Sequence, residues 1–331
     1  MMAFEMPKET TDSRIREVTL GTTDVKVGGE NVMPFCLFEG EMPNRPLIAV
    51  EVYDDNPQEW SPVVAQPLAD VLADPVAWAR KAQDEWGADI IALRLRSTDP
   101  KGDDNSPEEA AQTVKAVAEA VDIPVIVYGP EDVDKDGDVL KAAAIAAEGK
   151  NVVLGPAMED NYKTIGAAAL GYKQTVAAKT PIDVNLAKQL NILLSNLGVD
   201  TGKIIVDPTT GALGYGLEYT YSVMERLKLA ALQQDDTMTQ MPLMADVGVE
   251  SWKAKEAKFP AADEPAWGDE NKRGVMWEII TATTLLVAGA DIVIMRHPDA
   301  IKTVREVIDN LMGVLAATVC LYPRAAAPMV L

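Results

Sequence analysis

Eight short apolar runs recur along this chain, at residues 47–53, 89–95, 123–128, 151–155, 174–178, 203–207, 241–246 and 291–296, and a helix-like stretch follows nearly every one. The runs are rich in Ile, Val, Leu and Ala and do not alternate with polar residues. That pattern marks strands buried on both faces, because helices cover a parallel sheet from outside. Eight strand–helix units in 331 residues predict an α/β fold, a closed (β/α)8 TIM barrel. Such a barrel carries its function on the loops after its strands.

Helix punctuation agrees with this division. Asp74-Pro75 supplies an N-cap and a proline at the first helical position, with Gly87 as the stop. Ser106 repeats the device with Glu109 three residues on, a capping box. Further helices are expected over 138–148, 160–170, 184–197 after Asp183, and 217–233, with the last two beginning near Asn271 and Asp299. Ahead of the barrel, residues 16–37 read as a β-hairpin extension with strands at 17–20, 25–27 and 32–37. The domains are therefore expected as an extension over 1–45 and a barrel over 46–331.

Two connections are unusually long. Residues 56–73 form one; the other, 248–271, holds Trp252, Trp267 and the lysines Lys253, Lys255 and Lys258. Long ordered loops tend to be functional or interfacial. The second reads either as an excursion packed on its own barrel or as a partner contact.

Lysine and arginine number 30 against 51 acidic residues, a formal net charge of −21. Nucleic acid and anionic membranes are thereby excluded as nonspecific partners. No apolar run approaches the ~20 residues of a membrane span, and residues 1–16 lack the apolar stretch of a secretory signal. A cytoplasmic protein is expected. Cys36 and Cys320 stand far apart in no metal-binding pattern, so they read as free thiols, unable to build a cluster or a zinc site alone.

The strand ends offer a polar rim without a catalytic constellation. Candidate ligand contacts are Asp54, Arg94, Arg96, Tyr128, Asp207, Thr209, Thr210, Gly211, Gly214, Tyr215, Asp246 and His297. Residues 207–216, with three glycines and two threonines, are the most distinctive loop, since backbone amides there can approach a ligand closely. Lys179 ends the fifth run, where a Schiff-base lysine is geometrically possible. His297, the sole histidine, reads as a loop residue satisfied by backbone.

Four segments carry a resemblance: FEGEMPN at 38–44, PIDVNLAKQLNI at 181–192, DPTTGALGYGLEYTYSVMER at 207–226 and GADIVIMRHP at 289–298. They resemble the small subunit of the corrinoid iron-sulfur protein, the delta subunit family of acetyl-CoA decarbonylase/synthase. The resemblance implies a barrel that pairs with a large subunit as a heterodimer, with the corrinoid (cobalamin) between barrel mouth and partner and the iron-sulfur cluster on the partner only. It implies a methyl carrier rather than a catalyst: cobalt takes a methyl group from methyltetrahydrofolate, through a corrinoid methyltransferase, and passes it to acetyl-CoA synthase in the reductive acetyl-CoA (Wood–Ljungdahl) pathway of carbon fixation. The alternative is a pterin-binding TIM-barrel methyltransferase, with Asp54, Asp207 and Asp246 as its strand-end carboxylates.

Overall fold

The computed structural model describes residues 7–313. Strands β1 (Val18–Leu20) and β2 (Val25–Val27) form an antiparallel pair. Strands β3 (Leu47–Tyr53), β4 (Ile90–Arg94), β5 (Val125–Tyr128), β6 (Val153–Ala157), β7 (Thr175–Lys179), β8 (Ile204–Asp207), β9 (Leu243–Asp246) and β10 (Ala290–Met295) run parallel and close on themselves, β10 pairing with β3. This is the expected (β/α)8 barrel with its N-terminal hairpin.

The helices are α1 (Pro62–Ala65), α2 (Pro75–Asp84), α3 (Pro107–Ala120), α4 (Val133–Ala146), α5 (Tyr162–Tyr172), α6 (Val184–Leu197), α7 (Leu217–Gln233), α8 (Val247–Lys253), α9 (Lys255–Lys258), α10 (Glu270–Ala288) and α11 (Pro298–Leu311). Local chemistry starts several of them as expected. Asp74 accepts from the backbone of Val76 and Ala77, Asp183 from Asn185 and Leu186, and Ser106 with Glu109 closes the capping box. Among the described residues no helix is long and apolar enough to cross a membrane.

Two apolar shells hold the barrel. The larger lies between strands and helices and includes Trp78, Leu93, Val117, Leu140 and Leu285. The inner one fills the barrel with Leu47, Ala49, Ile90, Ala92, Ile126, Val153, Ile205, Met244, Ile292 and Ile294, and Val18, Leu20 and Val27 of the hairpin join it. The hairpin thus closes the end of the barrel opposite the mouth. Beside it, buried Lys228 of α7 ties Glu30 of the extension to Asp291 of β10, at 2.8 Å from the latter.

Three expectations need correction. Residues 32–37 are turns rather than a third strand, with Cys36 N–H donating to the Met33 carbonyl, because Pro34 removes a donor and Phe35 at φ +63° leaves the extended region. Helix α4 starts at Val133, five residues early, since Asp132 caps it by accepting from Lys135 N–H; Gly137 inside the helix had obscured this. The 248–271 connection is mostly helical, α8 beginning directly after β9. Trp252 of α8 is buried and donates from Nε1 to Glu278 at 2.7 Å, whereas Trp267 stays partly exposed, edge-on to Phe259. Arg273 fixes the excursion by donating to the carbonyls of Glu256 and Phe259. Cys36 is a half-buried free thiol, and Cys320 lies outside the described residues.

Candidate functional site

Side chains alternate along a strand, so the residue two places after an inward apolar position also points inward. Ala49 is followed by Glu51, Ala92 by Arg94, Ile126 by Tyr128, Ala177 by Lys179, Ile205 by Asp207, Met244 by Asp246 and Ile294 by Arg296. The apolar interior therefore ends at the mouth in a polar layer, three cations facing three carboxylates. Six of its members, Arg94, Tyr128, Lys179, Asp207, Asp246 and Arg296, were visible as strand-end residues. Glu51 was missed; it is the one charged residue inside the first barrel run, with the parity of Leu47 and Ala49, and that was the available signal.

The layer is internally neutralised. Arg94 donates to Glu51 and, at 2.5 Å, to Asp246; Arg296 donates to the other Glu51 oxygen at 2.7 Å and to the Tyr53 hydroxyl at 2.8 Å. Burial opposes ionisation of Glu51, but Arg296 and Arg94 outweigh it and hold its carboxyl below the usual range. Tyr128 O–H donates to Asp207 at 2.8 Å beneath the Arg94 guanidinium, which sits 5.0 Å from its ring centre. Burial pushes Asp207 up, against the pull of Lys179. Lys179 itself, 2.7 Å from Glu131, is held above its ordinary value: Asp207, Glu131 and Asp246 overcome its desolvation. A Schiff-base lysine needs the opposite shift.

At the rim Asp54 accepts from the Ser97 N–H at 3.0 Å and hydroxyl at 2.6 Å, while Arg96 pairs with Asp55 and Glu59 and lies over the Tyr53 ring. Burial pushes Asp54 up to about 6, only partly offset by Ser97. A carboxyl raised on folding contributes stability that is full below about pH 4 and lost as pH rises through 6. Asp54→Asn keeps the shape and cannot ionise. Its stability relative to the native chain should therefore grow by about 1–2 kcal/mol between pH 4 and pH 7, read from urea melts at both pH values; a pH-independent difference would remove burial of this carboxylate as the cause.

The 207–216 loop is organised from within. Thr209, at φ +61°, donates its N–H to Asp207 and its hydroxyl to the Thr180 carbonyl at 2.6 Å; Thr210 Oγ1 accepts from Asp246 N–H, and Thr220 Oγ1 accepts from Gly211 N–H. A Cβ on Gly211 would stand 2.6 Å from the Gly216 carbonyl, whereas one on Gly214, at φ +75°, would meet only Trp277 at 3.9 Å. Within the loop the tight backbone approach is at Gly211, while Gly214 supplies a positive φ. Gly211→Ala should cost about 2–3 kcal/mol through displaced backbone and Gly214→Ala about 1 kcal/mol through φ alone, a ranking checked by thermal melts; equal losses would contradict it. Tyr215 is exposed and donates to Glu256 at 2.8 Å.

His297 is buried on the far side of β10 as the N-cap of α11. Its Nδ1 accepts from Asp299 N–H at 3.2 Å and its ring stacks on Trp252, with desolvation lowering its pKa. Of the candidates, then, Arg94, Tyr128, Asp207 and Asp246 lie in the sealed layer, Thr210 and Gly211 brace it, and Asp54, Arg96, Thr209, Gly214 and Tyr215 reach the rim. Two cavities flank the layer. One of about 500 Å³ runs between the residues after β6 and helix α6, with Met158, Leu186, Leu190 and Leu193 as apolar walls and Lys179, Thr180 and Thr209 at its inner edge. The other, about 160 Å³, lies beside Tyr53, Trp60, Arg96 and Arg296. Among the described residues no three His, Cys, Asp or Glu side chains converge as a metal-holding group.

Residues 17–329 match the family described as CO dehydrogenase/acetyl-CoA synthase delta subunit. The chain is 38% identical over 324 residues to an acetyl-CoA decarbonylase/synthase complex subunit delta of Archaeoglobus fulgidus, covering 94% of this chain and 71% of that one. It is 36% identical to that of Methanocaldococcus jannaschii, covering 92% and 76%. Among solved structures it is similar to a dihydropteroate synthase of Coxiella burnetii in complex with pteroic acid, at TM-score 0.55 and 13% identity over 91% of this chain and 99% of that one. At that identity the likeness concerns the fold alone.

Proposed function

Because the chain belongs to the CO dehydrogenase/acetyl-CoA synthase delta subunit family, we propose that it is the barrel half of a corrinoid-bearing methyl carrier, pairing in the cytoplasm with a large subunit that holds the iron-sulfur cluster. A corrinoid methyltransferase and acetyl-CoA synthase are its exchange partners. The observation that carries this reading is the filled mouth. Glu51, Arg94, Asp246 and Arg296 neutralise one another where a small-substrate enzyme keeps an open pocket. A ligand at this face has to lie across the barrel rather than enter it, which suits a broad, flat molecule covered by a second protein.

The rim residues fit such a ligand. Among the described residues the Thr180 hydroxyl is buried without a partner at the edge of the larger cavity, and a buried unpaired hydroxyl calls for a hydrogen-bonding guest. Thr180, Thr209 and Arg96 would hold the side-chain amides of a corrinoid, and the 207–216 backbone would line its edge. When bound, the corrinoid supplies a cobalt that accepts and releases a methyl group. Arg94, Tyr128, Asp207 and Asp246 then act from below as a rigid, neutral floor that keeps the rim in place. His297, with Nδ1 engaged in its cap, serves as a positioning residue of the β10–α11 turn.

The pterin alternative needs free strand-end carboxylates. Asp207 and Asp246 are engaged by Tyr128 and Arg94, and Asp54 by Ser97. The test uses gel filtration of the chain with cobalamin, alone and with its large subunit. Corrinoid should co-elute only with the pair, and Thr180→Val should reduce the amount retained. Tight cobalamin binding by the chain alone, or saturable binding of methyltetrahydrofolate to it, would overturn the carrier reading.

A further inference from the structure

The smaller cavity beside the mouth is separate from the larger one, and its chemistry differs. Aromatic walls from Tyr53, Trp60 and Trp252 enclose it, and Arg96, Lys253, Lys258 and Arg296 supply four cations in a chain whose net charge is −21. Arg296 is buried and held over Trp60 at 4.2 Å, with Nε on Glu51 and Nη2 on Tyr53. Among the described residues its remaining nitrogen, Nη1, has no hydrogen-bond partner, nor has Lys258 Nζ. The Ser61 hydroxyl in the same wall is shielded from water and has no partner among the described residues. Arg296, Lys258 and Ser61 therefore line one small space, each with a donor that has no acceptor among the described residues.

We propose that this cavity binds one tetrahedral oxyanion of the phosphate class. Its volume of about 160 Å³ matches cavities that take a benzene-sized guest, which is room for one such anion and little more. Residues after the last two barrel strands contribute Lys253, Lys258 and Arg296, and that region of a TIM barrel is a frequent phosphate position. Glu59 occupies the site's edge as an internal anion. It pairs with Arg96, but its side chain is 59% exposed, and exposed pairs of this kind hold weakly. An incoming oxyanion can displace Glu59 and take Arg96 in bidentate fashion while meeting Arg296 Nη1 and Ser61 on its inner side. The anion comes either from solution or as the phosphodiester of a nucleotide-tailed corrinoid.

Intrinsic fluorescence reports directly, because Trp60 and Trp252 line the cavity. Sodium phosphate titrated into the full chain should give a saturable change that sodium chloride at equal ionic strength does not. Lys258→Gln and Ser61→Ala should each weaken the midpoint about fivefold to tenfold, while Glu59→Gln should tighten it about threefold or more by removing the internal competitor. A chloride response equal to that of phosphate overturns the site, as does an unchanged midpoint in both Lys258→Gln and Glu59→Gln. A second arm distinguishes the sources, and it alone rests on the corrinoid reading. In the two-subunit complex, loading with cobalamin but not with cobinamide, which lacks the nucleotide phosphate, should abolish the phosphate response if the tail fills the site. A response surviving both loadings supports a free anion. Failure of either corrinoid to bind tests the carrier reading and leaves the first arm standing.

Discussion

Glu51→Ala is expected to lower the stability of the chain by about 3–5 kcal/mol, more than any single change at the rim. Glu51 is fully buried and serves two arginines at once, Arg94 through one oxygen and Arg296 through the other. Without it the two guanidiniums remain in the barrel interior with Asp246 and the Tyr53 hydroxyl as their side-chain hydrogen-bond acceptors among the described residues. An unpaired buried charge costs far more than the pair contributed, because its desolvation stays while its Coulombic partner is gone. Glu51→Gln keeps the side-chain volume and one acceptor oxygen, so its loss should be smaller. Urea denaturation of both variants is the measurement, and a loss under about 1 kcal/mol for Glu51→Ala would show that water reaches this layer and screens it.

Lys228→Met should produce a loss of similar size, about 3–5 kcal/mol at pH 8, from the opposite end of the barrel. Lys228 lies between Glu30 and Asp291 with all three side chains buried, and Gly289 leaves the space its stem fills. Burial, with Glu30 nearby, already pushes Asp291 up to about 7 in the presence of the lysine. A carboxyl raised in this way contributes stability that is complete below about pH 4 and lost as pH rises through 7. Removing Lys228 raises it further, so the penalty should shrink as the pH is lowered toward 5 and Asp291 becomes neutral. A pH-independent loss would assign the effect to packing of the methylene stem rather than to charge. The extension should also become more open to protease in this variant, since Glu30 is its charged anchor.

Much of the architecture was legible because the signals that encode it are local. An apolar run of five or six residues, a capping Asp or Ser and a glycine stop act within one turn or one strand, so β3 to β10 and most helices could be placed from residue order alone. Where a helix began on unusual chemistry, as at Asp132 with Gly137 inside α4, the local signal was weak and the boundary moved. Residues 32–37 failed for a different reason: Phe35 at φ +63° and the Cys36–Met33 hydrogen bond turn the backbone, which the apolar run does not record.

The candidate site divides in the same way. Sequence by itself determined the barrel, the polar character of its strand ends, the absence of a cysteine pattern for a cluster and, through four long segments, the family. Only the tertiary structure decided which of those polar residues face one another. Glu51 meets Arg296 across 245 positions of chain, and Asp246 meets Arg94 across 152, because closing the barrel brings β10 beside β3 and carries β9 round to the same mouth. The same closure set His297 against Trp252 and left Arg296 and Ser61 lining a small cavity. Backbone preference and hydrophobic periodicity are short-range properties that residue order records. Charge pairing and burial depend on which strands closure makes neighbours, and no local pattern records that.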